Sequence, residues 1–403
     1  MWNNGHIPDD FDKLLALIRD KCTNTQVQNL LRIGKLESSE VRISGAKDEL
    51  IFQNLHNAIR EGAITSDAAY EMLCDAEESG QQHVFYFRAK EGRADYFNDA
   101  ESIASSLFGG DWRTTMNFPR LHLNPVGWEW ADFRIYPTST SGKSAWVLKA
   151  YSGIFRRKLI DKKRQDDTLE IEYYERKLSR EILLVRWHYD GLLELRVPRE
   201  DSRKLLMQSL MGLWEAIKPC IREEDFEPFD LTTACTRMID HYDEGTSIYT
   251  LSDAHFEDDQ AGSARFSPPS VEDHLMSDET RQKAIKMYKQ CRMLGVVWQL
   301  EEEDHGTATK LRSVIGRYGV NNLLITSRTT SKAIKHVTQQ LRRYASQVSG
   351  VNPGIPKLGI LGSEQPSALP HRSPEIPQTE PPGRSSRDLP SPGVAGPRGE
   401  VTA

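Results

Sequence analysis

The dipeptide Asp190-Gly191, inside the β-favouring run Ile182–Val197, constrains this fold more than any other short feature. A two-residue type I′ turn needs positive φ at both central positions, and Asp-Gly between alternating strands meets that need. The run is expected to form an antiparallel hairpin across Tyr189-Asp190-Gly191-Leu192. It belongs to a longer β-rich stretch with Trp128–Tyr136, Ala145–Tyr151 and Leu169–Tyr174, preceded by a compact strand at Val84-Phe85-Tyr86-Phe87.

Ahead of these strands, residues 8 to about 80 read as helical. Leu14, Leu15 and Ile18, then Val27, Leu30 and Leu31, then Leu50, Ile51, Leu55, Ala58 and Ile59, recur at helical spacing. Ser66-Asp67 before Ala68, Ala69, Met72 and Leu73 has the form of a capped fourth helix. The chemistry of such a small bundle suits a protein-binding module or a cap on the next domain. Downstream, helices are expected over Leu205–Ile221, Leu231–Tyr242, Glu279–Met293 and Ser331–Ala345, with strands near Ile248–Leu251, Gly295–Leu300 and within Leu311–Thr326. The fold class is therefore α+β: a helical interaction domain over 1–80, a mixed and mainly antiparallel β domain with flanking helices over 81–350, and a tail over 351–403.

The tail accounts for part of the reason that only 38% of the 403 residues are hydrophobic, against about 45–50% for globular chains. Eleven of the twenty prolines follow Val351, with no aromatic residue, a composition expected to stay disordered. Five cysteines with no C-x-x-C pair suggest reduced thiols rather than a disulfide framework or zinc ribbon. The N-terminal residues lack signal-peptide character, and no apolar run approaches the roughly 20 residues of a membrane span. A cytoplasmic protein without a membrane partner is expected, or a nucleoid or nuclear one if it associates with DNA.

Three stretches imitate catalytic or metal motifs. Ser141-Gly142-Lys143-Ser144 ends like a P-loop, but Pro137 stands at the first glycine position and a strand, not a helix, follows. His188, Asp190 and Glu194 resemble a nuclease acid group, yet Glu194-Leu195-Arg196 ends in arginine and Asp190 already serves the turn. His241, Asp243, Glu244, Asp253, His255, Glu257, Asp258 and Asp259 match neither an EF-hand nor a zinc helix. No catalytic residue, metal site or cofactor is assigned, although a metal-dependent nuclease or hydrolase stays open as the enzymatic alternative.

Charge segregation points elsewhere. From Ile221 to Gln260 twelve acids face two arginines, whereas His305–Ser363 carries nine lysines and arginines and no acid. Arg156, Arg157, Lys158, Lys162, Lys163 and Arg164 crowd nine residues, in what is expected to be a loop between strands. Lys310, Arg312, Arg317, Arg328, Lys332, Lys335, Arg342 and Arg343 form the second basic set. Cations held in this way gain affinity for phosphate backbones through counterion release. The alternatives are a solubilising surface or a cationic face neutralised by the acidic segment. With no base-reading motif, nucleic-acid binding through these fourteen residues would be weakly sequence-selective, and a pure protein–protein scaffold is the remaining class.

The layout resembles the centromere protein N family. Ala63-Ile64-Thr65-Ser66-Asp67-Ala68-Ala69 closes the helical domain before the Val84–Phe87 strand, and Asn322-Leu323-Leu324-Ile325-Thr326 leads into the Ser331–Ala345 helix. The resemblance implies a pyrin- or death-like helical bundle ahead of a β-rich domain ending in strand and helix. It also implies a non-enzymatic, DNA-proximal adaptor.

Overall fold

The computed structural model describes residues 8–45, 48–116, 118–137, 143–164, 170–200, 202–242, 248–257, 262–268, 273–285, 287–288, 290–300 and 310–346. The proline-rich tail, Ser141-Gly142, and Asp243, Glu244, Asp258 and Asp259 of the acidic cluster lie outside these residues. The protein is α+β, as its patterning requires.

Helices α1 (Pro8–Lys21), α2 (Asn24–Glu37), α3 (Asp48–Arg60) and α4 (Ser66–Glu78) come first. Their apolar stripes meet in one core of Leu14, Leu17, Ile18, Val27, Leu31, Leu55 and Leu73. Thr23 opens α2 with a reciprocal capping box to Gln26, which satisfies two orphan amides. Thr65, not Ser66, caps α4 by accepting from the Ala68 amide.

The remaining elements in chain order are β1 (Gln82–Ala89), α5 (Ala94–Phe97), α6 (Ala100–Phe108), α7 (Trp112–Thr115), β2 (Trp128–Pro137), β3 (Ser144–Arg164), β4 (Glu170–His188), β5 (Leu192–Pro198), α8 (Arg203–Ile217), β6 (Phe226–Pro228) and α9 (Thr232–Asp240). Then follow β7 (Tyr249–Glu257), β8 (Ser263–Phe266), α10 (Glu279–Ile285), β9 (Gln290–Gln299), β10 (Lys310–Ile315), β11 (Asn322–Ile325) and α11 (Ser331–Ser346).

All eleven described strands join one sheet, in the order β2-β3-β4-β5-β1-β11-β10-β9-β7-β8, with β6 continuing beside β1 where β11 stops. Every ladder in it is antiparallel. Alternation along each strand sorts the residues onto two faces. On one face, Phe85 and Phe87 of β1 join Trp146, Val185, Trp187 and Leu195 beneath α6 and α8. On the other, Val84 and Tyr86 join Val296, Trp298, Leu311 and Leu323 beneath α9 and α11. Buried on both sides, β1 is the hub of the sheet. α4 covers the second face over β2–β5, and the Ser331 amide at the start of α11 donates to Asp75 of α4 at 2.6 Å.

Three expectations need correction. Residues 156–164 are not a loop: β3 runs unbroken to Arg164 and pairs with β4 down to Arg164↔Glu170. Phe155, Leu159 and Ile160 supply enough β-favouring residues to carry the cations into a strand. The helix expected through Met293 stops at Ile285, because Cys291, Leu294, Val296 and Trp298 alternate inward as β9. The Asp190-Gly191 hairpin forms, but its loop has three residues. His188 pairs with Leu192, the Gly191 amide donates to the His188 carbonyl at 2.9 Å, and Gly191 sits at φ +92°. Glycine at the third loop position thus supplies the positive φ of a bulged hairpin.

Candidate nucleic-acid interface

On the first face, α6 and α8 cover the β2–β5 half of the sheet, and no described helix covers β7, β9 and β10. Along β10, Leu311, Ser313 and Ile315 are buried under the opposite face, so Lys310 and Arg312 stand on the open side, exposed. Ser313 tolerates burial because its hydroxyl accepts from Trp298 Nε1 at 2.9 Å. Val297 and Gln299 of β9 and Thr250 and Ser252 of β7 complete the floor of a groove of about 840 Å³, rimmed by Asp273, His274 and Thr326. A β-bulge lets β7 approach closely: a methyl group on Gly295 would lie 2.6 Å from Ser252 Oγ. Nearby, Asp253 is held by Arg265 at 2.8 Å and by Ser267 at 2.7 Å. Two cations over a bed of hydroxyls and an amide can hold phosphate oxygens by charge and hydrogen bonds together.

The other cations of this set disperse. Arg317 lies exposed in the β10–β11 turn, its guanidinium 5.3 Å from the Tyr318 ring centroid. Arg328 is exposed in the loop before α11. Lys332 and Lys335 are exposed on α11, which packs on the opposite face from Lys310 and Arg312 through Ile334, Val337 and Leu341. Arg342 forms an ion pair with Asp190 of the hairpin loop, and Arg343 is half-buried. The structure therefore joins Lys310 with Arg312 and separates them from the α11 cations.

The first basic set sits on a two-stranded arm. β2 accompanies β3 only as far as Ser152, and β5 accompanies β4 only from Leu184. Beyond these points the two strands pair with each other alone, reaching about 40 Å over twelve residues. Register sets Lys158 opposite Glu175, Lys162 opposite Glu172 and Arg164 opposite Glu170, with Lys162 Nζ 2.5 Å from Glu172. Arg156 and Arg157 instead oppose Lys177 and Arg176. The distal half of the arm is thus charge-matched across the ladder, and its middle is cationic. The arm belongs to β3 and β4, whereas the groove is centred four strands away on β10, about 19 Å along the sheet.

The sequence gives little warning of the ion-pair network beneath α4. Lys149 of β3 is fully buried, with Nζ 2.5 Å from Glu77 and 3.8 Å from Glu78. Glu77 also accepts from Arg180 and from the Tyr151 hydroxyl at 3.0 Å. Glu78 pairs with Arg134, whose Nε lies 2.9 Å from Asp132. Burial opposes the charge on Lys149, but Cys74, Glu77, Tyr151 and Glu78 outweigh it and hold the ammonium well above its ordinary pKa. Burial likewise opposes charge on Glu78, and Arg134, Lys149 and Arg186 outweigh it, so its pKa is lowered.

The residues of the nuclease-like group are engaged in similar pairs. Glu194 is buried between His188, at 2.7 Å, and Arg196, at 2.6 Å. Burial opposes its charge, but Arg196 and His188 outweigh it and lower its pKa. Among the described residues, no group of three or more His, Cys, Asp or Glu side chains has the geometry to hold a metal ion. No described helix is long and apolar enough to cross a membrane. No protein-family model matches this chain, and no curated protein matches it either.

Proposed function

We propose that this protein is a non-enzymatic adaptor that contacts the sugar–phosphate backbone of nucleic acid. The observation that carries the reading is the helix-free half of the sheet, where Lys310 and Arg312 overlook a groove floored by Thr250, Ser252 and Gln299. Phosphate oxygens find cations and hydrogen-bond donors there. Among the described residues no Phe, Tyr or Trp lines the groove and His274 is its one ring, so stacking platforms for bases are few and selectivity for sequence is weak. The cationic middle of the arm provides a second contact. The helical bundle, with Ile33, Leu36 and Leu50 exposed, recruits a protein partner. The resemblance to the centromere protein N family implies the same class of activity.

The test is fluorescence anisotropy of labelled duplex DNA, single-stranded DNA and RNA across a salt series. Lys310→Gln with Arg312→Gln should weaken binding and reduce the salt slope by about two. Unchanged affinity in that double variant removes the groove from the interface. Absence of binding at low salt leaves the scaffold class, with the basic surfaces docking on an acidic protein.

A further inference from the structure

The ion pairs that run through Glu77 and Glu78 join four cations, Arg134, Lys149, Arg180 and Arg186, to three carboxylates, Glu77, Glu78 and Asp132. Three of the cations have a close partner. Arg186 does not: among the described residues its nearest carboxylate is Glu78 at 3.8 Å, with the Glu194 charge acting from further off, and its Nε is buried without a hydrogen-bond acceptor. Its cross-strand neighbour in register is Glu194, but that carboxylate already receives His188 on one oxygen and Arg196 on the other. On the opposite flank stands Val147, and beyond it in the same register line Arg134. A guanidinium carries five donors in a fixed fork, and leaving them unmet in a buried place is costly. The side chain nevertheless retains 17% exposure, and Arg134 keeps 25%, so both are accessible from solvent at the edge of the α4 cover.

We propose that Arg186, together with Arg134, receives a phosphate-type oxyanion at the margin between α4 and the sheet. Both guanidiniums converge on Glu78, so an anion placed between them would supply the missing acceptors and the missing negative charge at once. The fork geometry favours a group with several oxygens in one plane, as a phosphoryl face offers. The half-exposed Tyr136 lies near enough to feel both arginines and supplies a hydroxyl donor. The site is on the face opposite the groove and does not depend on the nucleic-acid reading.

The experiment uses the full chain and inorganic phosphate at constant ionic strength, balanced with chloride. Phosphate should raise the melting temperature saturably and broaden its own 31P resonance in the presence of wild-type protein. Arg186→Met should abolish both effects, and Arg186→Lys, which keeps the charge but loses the fork, should weaken binding several-fold. In phosphate-free buffer Arg186→Met should cost less stability than Arg134→Met, since Arg186 makes the longer contact with Glu78. Duplex DNA that displaces phosphate identifies a nucleic-acid phosphate as the ligand source, and DNA that does not displace it identifies a free phosphorylated molecule. A non-saturable response, or a response unchanged in Arg186→Met, overturns the proposal and leaves water as the partner of the guanidinium.

Discussion

Lys149 Nζ lies 2.5 Å from Glu77 Oε2, and neither side chain is exposed to solvent. The pair pins the last turn of α4 to the first third of β3, and through it the helical bundle to the sheet. Tyr70 and Tyr151 place their ring centroids 5.9 and 5.3 Å from the ammonium, adding cation–π attraction. Breaking a buried pair from one side strands its partner, at a cost of roughly 3–5 kcal/mol. Glu77→Gln should cost more than Lys149→Met, because it strands Arg180 as well as Lys149. Urea denaturation reads both, and a loss below about 1 kcal/mol for either variant would show that the network has relaxed around the gap.

His83 makes stability depend on pH. Its imidazole is buried on β1, where burial pushes the pKa down to about 4, partly countered by the hydrogen bond between its ring and the Asn322 side chain. In the unfolded chain the ring titrates near 6.5. Above that value neither state binds the proton and His83 is neutral towards stability. As pH falls from about 6.5 to about 4 the unfolded state is protonated first, and stability drops by up to about 3 kcal/mol. His83→Leu should flatten this part of the pH–stability curve, and an unchanged slope would assign it to other groups.

Gly316 turns the chain from β10 toward β11 at φ +79°, and a methyl group there would lie 2.0 Å from the Arg292 carbonyl oxygen. Gly62 has the same φ but open space around it. Gly316→Ala should therefore cost roughly 2–4 kcal/mol, from left-handed strain plus overlap with backbone. Gly62→Ala should cost only the conformational part, about 1–2 kcal/mol. Equal losses in thermal denaturation would mean that β9 yields to the added methyl.

The apolar stripes of α1–α4, α8 and α11 and the hairpin at Asp190-Gly191, though not its loop length, were legible because each is a local pattern. The buried charges were not. Alternation in Ala145–Tyr151 correctly sets Lys149 opposite Trp146 and Leu148, but only the docking of α4 turns that side from solvent into interior. Adjacent Glu77-Glu78 ending an amphipathic helix was the available hint. The arm hid for the converse reason: dense charge reads as loop until the register sets Glu170, Glu172 and Glu175 opposite the cations. In the groove, Lys310 and Arg312 could be named from charge. Thr250, Ser252 and Gln299 could not, since polar residues on an open strand face look ordinary one at a time.

The arm permits a test that separates fold from interface. Ile154 and Ser179 are register partners, so replacing residues 155–178 with Asn-Gly would close a short hairpin there. Arg180, which binds Glu77, is kept. The excised part contributes little core, because Phe155, Ile160, Tyr173 and Tyr174 are 59, 60, 42 and 49% exposed. The melting temperature should therefore shift by only a few degrees. A free basic loop with six cations would remove about five units of salt slope. Here Lys158, Lys162 and Arg164 are matched by cross-strand acids, so Arg156, Arg157, Lys163, Arg176 and Lys177 should dominate, and the slope should fall by no more than about 4.5. A fall of five or more would mean that nucleic acid opens the cross-strand pairs and takes their cations. An unchanged slope would confine binding to the groove.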